Sequence, residues 1–244
     1  VQPTLSSYFA LQSRAPGGIY ELLAFNEQER TRLISHTVIE GLDLILSNDD
    51  KGQLNTLLLH APDGRLRLRN LLPIFRPHYD LLLIDTQGAR SVLLEMAVLA
   101  SDLALSPVTP EILAAREFRR GTLQLMQDIA PYRRLGIDPP PLQLLINRVH
   151  PVSSNARLIQ QALRDLFSTE PGIVVLDTRI PAIEAYPRAS TQALPVHRVE
   201  YQRPKGRVTP AAFDTMQALS CELFPAWASA FSLLQAGAHR RVGP

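Results

Sequence analysis

Four consecutive apolar residues, Leu81-Leu82-Leu83-Ile84, stand between Asp80 and Asp85 and lead into Thr86-Gln87-Gly88. A strand with one wet face alternates apolar and polar residues. A run without alternation predicts a strand covered on both faces, the condition of a parallel sheet flanked by helices. Comparable short runs at 42–46, 103–107, 142–146 and 173–176 alternate with stretches of helical period at 52–60, 65–75, 91–100, 111–129 and 155–167. The alternation predicts an α/β protein with a mostly parallel sheet and helices on both faces. Gly17-Gly18 reads as the opening of the helix containing Tyr20-Glu21-Leu22-Leu23, and Ala61-Pro62-Asp63-Gly64 as a turn between helices. A last helix is expected from Thr209-Pro210, with Thr209 as N-cap and Pro210 at the first helical position, to about Leu223. One domain is expected over 1–225, followed by a weakly patterned tail at 226–244.

Composition removes several classes of function. With 45% hydrophobic and 20% charged residues in 244, the chain is neither disordered nor short of core. Its single cysteine, Cys221, makes an internal disulfide impossible and a zinc site improbable. No apolar run reaches the ~18 residues of a membrane span. The six histidines have no metal-ligand spacing, and no Gly-x-Ser-x-Gly elbow offers a hydrolase nucleophile. Net charge is only +2, but all basic residues except Lys51 and Lys205 are arginine, the side chain best suited to phosphate.

Three segments carry candidate chemistry. A strand ending in Asp85 would deliver a carboxylate to the carboxyl edge of the sheet, where α/β proteins bind ligands. Asp85 then either holds Mg²⁺ through water or caps the following loop; Gly88, three residues on, would let a backbone amide approach a phosphate closely. Asn147 ends the run at 142–146 and can donate to and accept from an adenine edge, or simply form a turn. Leu176-Asp177-Thr178-Arg179-Ile180-Pro181 reads as a strand entering a proline-fixed loop, whose Ile180 and Pro181 could wall a base pocket or be ordinary turn chemistry.

In order, these features resemble the ParA-type partition ATPases, the deviant-Walker-A group that also includes the MinD proteins. Val1-Gln2-Pro3-Thr4-Leu5-Ser6 is similar to the stretch after the family's second Asp, and Tyr79-Asp80 through Asp85 to its Walker B segment. Ser106-Pro107-Val108-Thr109-Pro110 is similar to the strand end before its long helix; Leu145-Ile146-Asn147-Arg148 and Thr178-Arg179-Ile180-Pro181 resemble its two adenine-side loops. The resemblance implies a P-loop NTPase-like fold, ATP and Mg²⁺ as cofactors, and Asp85, Gly88, Asn147, Ile180 and Pro181 on the nucleotide, with Asp85 on the metal. Gln87 departs from the family's usual Pro, so the loop after Walker B is expected to differ in shape. The phosphate loop, Lys-Gly-Gly-x-Gly-Lys-Thr, is absent from these 244 residues, and the resemblance puts the catalytic Asp immediately before Val1. The expectation is an ATPase whose first strand–P-loop–helix–strand unit is missing here, so that this polypeptide alone is inactive.

The family further implies an ATP-dependent homodimer that binds DNA without sequence preference, answers to a ParB-like centromere-binding protein, and sits in the cytoplasm on the nucleoid. Arg179, Arg188, Arg203, Lys205 and Arg207 are the residues expected on DNA, through phosphate contacts that release counterions. A second basic group at 116–134 reads rather as a solvated helix face with local ion pairs. Two other readings stand beside this one. A MinD-like membrane-cycling ATPase would need a basic amphipathic C-terminal helix, of which 228–234 before Arg240-Arg241 is a poor version. A non-catalytic interaction scaffold would keep the sheet without the nucleotide site.

Overall fold

The structure, a computed structural model, describes residues 5–150 and 155–234. Val1-Gln2-Pro3-Thr4 of the family resemblance, Pro151 and the terminal His239-Arg240-Arg241 lie outside the described residues. The chain divides into two compact units, residues 1–104 with 123–140, and residues 105–122 with 141–244.

The first unit holds a three-stranded antiparallel sheet, β1 (Leu11–Ser13), β2 (Ile34–Thr37) and β3 (Asp43–Ile45), in that order. Around it lie α1 (Ile19–Phe25), α2 (Arg30–Leu33), α3 (Gln53–His60), α4 (Arg67–Leu71) and α5 (Val92–Ala100). Residues three or four apart supply the core: Leu54 and Leu58 of α3, Leu68 and Leu71 of α4, Val92 and Met96 of α5, with Leu22, Leu23 and Phe75. Gly18 is the N-cap of α1, so the glycine pair opens that helix as expected. The Ile19 N–H donates to the Leu46 carbonyl at 2.9 Å, and a Cβ on Gly18 would come within 2.3 Å of that oxygen. Only glycine admits that approach. Ser91 caps α5, its Oγ accepting from the Leu94 N–H at 3.2 Å, and the Asp49 carboxylate accepts from the Gln53 and Leu54 amides at 2.8 and 3.0 Å to open α3.

The run at 81–84 corrects the sequence reading. It forms no regular element and belongs to no sheet, and among the described residues no hydrogen bond joins the backbone at 81–87 to any partner. Leu82 and Ile84 pack against the first unit's core, while Leu81 is exposed and Leu83 is 78% exposed. The segment is covered on one face only. Apolar character fixes burial, but a strand also needs a neighbour to complete its ladder.

The second unit contains the parallel sheet that the alternation predicts. Its order is β4 (Ala104–Val108), β5 (Leu142–Val149), β6 (Ile173–Pro181), with β5 and β6 parallel from Leu142↔Ile173 to Leu144↔Val175. The helices are α6 (Ile112–Ile129), which runs on into residues of the first unit, α7 (Asn155–Phe167), α8 (Ala185–Gln192), α9 (Val196–Val199), α10 (Ala212–Leu223) and α11 (Ala228–Leu233). Leu145, Leu176 and Ile180 of the sheet pack on Tyr186 of α8 and on Met216, Leu219 and Leu223 of α10. Two boundaries differ from expectation. β6 continues to Pro181, so 177–181 is strand rather than loop. α10 begins at Ala212, not Pro210, and Thr209 does not cap it: the Ala212 N–H donates to Glu200 Oε1 at 3.0 Å, while Thr209 Oγ1 is buried without a partner.

Candidate functional site

The carboxyl end of the β5–β6 pair is where the second unit departs from regular geometry. Two steps along β5, Leu144 to Ile146, are matched by four along β6, Val175 to Arg179. This is a bulge, a device that re-aims side chains beside functional sites. Three of its freed backbone groups are taken by side chains. The Asp177 and Thr178 amides donate to the two carboxylate oxygens of Glu222 on α10, at 2.5 and 2.9 Å, and the Leu176 carbonyl accepts from Gln160 Nε2 of α7 at 2.7 Å. Arg164 of α7 pairs with the Asp177 carboxylate. The register shifts again before Val149↔Pro181, and there Arg148 adopts a left-handed conformation, φ 60°.

Asn147 sits in this second irregularity, half-buried, its Oδ1 accepting from the Arg148 N–H at 2.9 Å. Among the described residues its Nδ2 has no protein partner, so the amide can still donate outward. Arg179, Ile180 and Pro181 lie beside it through the pairings Ile146↔Arg179 and Val149↔Pro181. The structure thus brings Asn147, Arg179, Ile180 and Pro181 to one sheet edge. Ile180, however, is buried with Leu145 and Leu176, so its side chain packs the unit.

Asp85 and Gly88 belong to the first unit. Asp85 is exposed at the end of the unladdered segment and makes no ion pair or hydrogen bond among the described residues. A Cβ on Gly88 would meet nothing within 4 Å, so its surroundings do not themselves require glycine. The described residues hold no group of three or more His, Cys, Asp or Glu able to bind a metal. A single carboxylate is no cation site by itself; a Mg²⁺ beside Asp85 would take its other ligands from water and phosphate, and no catalytic step follows from these residues alone.

The five arginines and lysines expected on DNA divide by their partners. Arg203 and Lys205 are exposed on the loop between α9 and α10, Arg203 reaching only the Val208 carbonyl at 3.4 Å. Arg188 is exposed on α8 and donates to the Val199 carbonyl at 3.3 Å; Arg179 is half-buried on β6. Arg207 is turned inward on Glu200 and forms a fork with its carboxylate, at 2.9 and 2.5 Å. The Arg207 guanidinium holds the Glu200 carboxyl below the ordinary carboxylate range, against burial, which pushes it up; the Ala212 amide adds to the lowering. Burial first, then the neighbouring Glu200, pushes the Tyr186 hydroxyl up to about 12. At 116–134 Arg120 pairs locally with Glu117, whereas Arg119 reaches Glu170 and the Leu166 carbonyl, distant in sequence.

Glu200 and Glu222 are the organising carboxylates that the sequence leaves unmarked. Glu222 acts on backbone amides 45 and 44 residues away and Glu200 on the Ala212 amide, and no periodic spacing announces either role. Among the described residues, no helix is long and apolar enough to cross a membrane.

Residues 4–134 match a family model described as AAA domain. Over 165 residues the chain is 24% identical to an uncharacterized protein, MJECL24, of Methanocaldococcus jannaschii, covering 68% of this chain. It spans only 61% of the length of that curated relative. Among solved structures, the ATP complex of a McdA variant from Cyanothece matches with a TM-score of 0.71 at 18% identity, over 96% of this chain and 83% of the other. A putative plasmid partition protein from Borrelia burgdorferi bound to AMPPNP matches at 0.62 and 21% identity, over 92% and 83%. A cobyrinic acid a,c-diamide synthase from Mycobacterium smegmatis with bound ATP analog and magnesium matches at 0.56 and 21%, over 70% and 66%. At these identities the likeness is one of fold alone.

Proposed function

The chain belongs to the AAA-domain family, and on that premise we propose that it is part of a ParA-type partition ATPase. The complete protein binds Mg·ATP, dimerises on it, and in that state holds DNA without sequence preference; a ParB-like partner triggers hydrolysis and release. The resulting location is cytoplasmic, on the nucleoid. Within the second unit, Asn147 and the Arg179–Pro181 strand end supply the contacts to the base. The reading requires a Gly-Lys-Thr phosphate loop, which residues 1–244 do not contain. The observation that carries this reading is the doubly irregular carboxyl end of β5–β6, which sets Asn147 half-buried with an open donor beside Arg179. With Nδ2 donating and the second lone pair of Oδ1 accepting, one amide would match an adenine edge.

The test is phosphate release by residues 1–244 and by a polypeptide extended with the upstream coding sequence. The extended protein should hydrolyse ATP, and Asn147→Ala should raise its KM for ATP roughly tenfold with little change in kcat, because base binding is uniform binding energy. An extended protein that lacks any Gly-Lys-Thr and neither binds nor hydrolyses ATP would end the proposal.

A further inference from the structure

The loop at 201–211 is tied at its base by one buried ion pair. The Glu200 side chain is 8% exposed and that of Arg207 21%. Glu200 Oε1 accepts from Arg207 Nη2 and from the Ala212 amide, Oε2 accepts from Nη1, and the Glu200 carbonyl accepts from the Phe213 amide at 3.0 Å. Arg207 also donates to the Pro210 carbonyl at 3.0 Å and weakly to that of Thr209. The guanidinium is therefore occupied by its own loop and by Glu200. At the tip, Gly206 turns the chain at φ 81°, and Arg203 and Lys205 stand exposed on either side of Pro204.

We infer that Glu200 and Arg207 are positioning residues that hold Arg203 and Lys205 as a preformed pair of cations for the phosphates of duplex DNA, and that Arg207 itself touches no phosphate. The inference rests on the DNA-binding reading given above and reassigns one of its residues. Its physical basis is entropic: a loop already ordered does not lose its freedom on binding, whereas a free one does. Simple electrostatics gives the opposite sign for one variant. Removing the Glu200 charge makes the protein more basic, which by itself strengthens attraction to DNA. Loss of positioning weakens it.

The experiment measures affinity for random-sequence duplex DNA as a function of salt, using the full chain, with ATP for the upstream-extended protein. Arg203→Ala with Lys205→Ala should reduce the salt slope by about two contacts' worth. Glu200→Gln should weaken binding about tenfold despite the gained positive charge, and Glu200→Asp should restore part of the loss. Gly206→Ala, which strains the turn without touching a charge, should weaken binding as well and carries the test if Glu200→Gln does not fold. Equal or tighter binding by Glu200→Gln, or unchanged binding by Gly206→Ala, overturns the positioning role. If the wild type does not bind DNA, or the double variant binds like wild type, the DNA reading itself fails and the positioning role with it.

Discussion

Replacing Glu222 tests whether the β6 bulge is held by a carboxylate clip. The two amides it serves, those of Asp177 and Thr178, have no ladder partner because β6 carries extra residues at that point. A hydrogen bond to a charged group contributes about 1.5–3 kcal/mol when sheltered. Here the sites are partly open and water replaces some of the loss, so about 1 kcal/mol for each amide is appropriate. Glu222→Ala should cost ~2 kcal/mol, and Glu222→Gln, which keeps one acceptor, about half. In urea unfolding, with a slope near 2 kcal/mol per molar, the alanine midpoint should fall by roughly 1 M. Amide exchange gives the local readout: protection at Asp177 and Thr178 should drop at least about tenfold, with the remainder of β5 less affected. Stability within about 0.5 kcal/mol of wild type, together with unchanged exchange at both amides, would refute the clip.

Gly18→Ala should destabilise by about 1–3 kcal/mol, since the added Cβ must displace the Leu46 carbonyl; calorimetry of the variant checks this. Ser91→Ala should cost about 1 kcal/mol by loss of the α5 cap, with Ser91→Asp close to wild type in the same assay. Acid unfolding should steepen below about pH 4.5. Glu200, Asp63 and Glu21 all have lowered carboxyl pKa values in the fold, so the stability they confer is complete above their unfolded values and is lost as pH falls through the folded ones. Glu200→Gln should flatten that pH dependence, and a titration curve parallel to wild type would count against the assignment.

Much of the scaffold was legible because helices announce themselves by period. The reading at 155–167 matches α7 residue for residue, and 111–129 differs from α6 by one. The parallel strands were legible as apolar runs, though the sequence understated their length: β6 reaches Pro181 because its bulge is braced from outside, which no local pattern encodes. β1 and β2 are three and four residues long, too short for alternation to register. Asn147 was found because it terminates an apolar run. Glu222 was not, since it reaches amides 45 and 44 residues away. Charge alone makes Arg207 a surface cation, and only the fold reveals the carboxylate seven residues earlier that occupies it.

The segment at 81–84 has anchored side chains and an unclaimed main chain, and two kinds of spectroscopy should therefore disagree about it. Methyl relaxation at Leu82 and Ile84 should report immobilised groups of the interior. Deuterium uptake at the same residues should run near the rate of unstructured peptide, because their N–H groups have no acceptor to shield them.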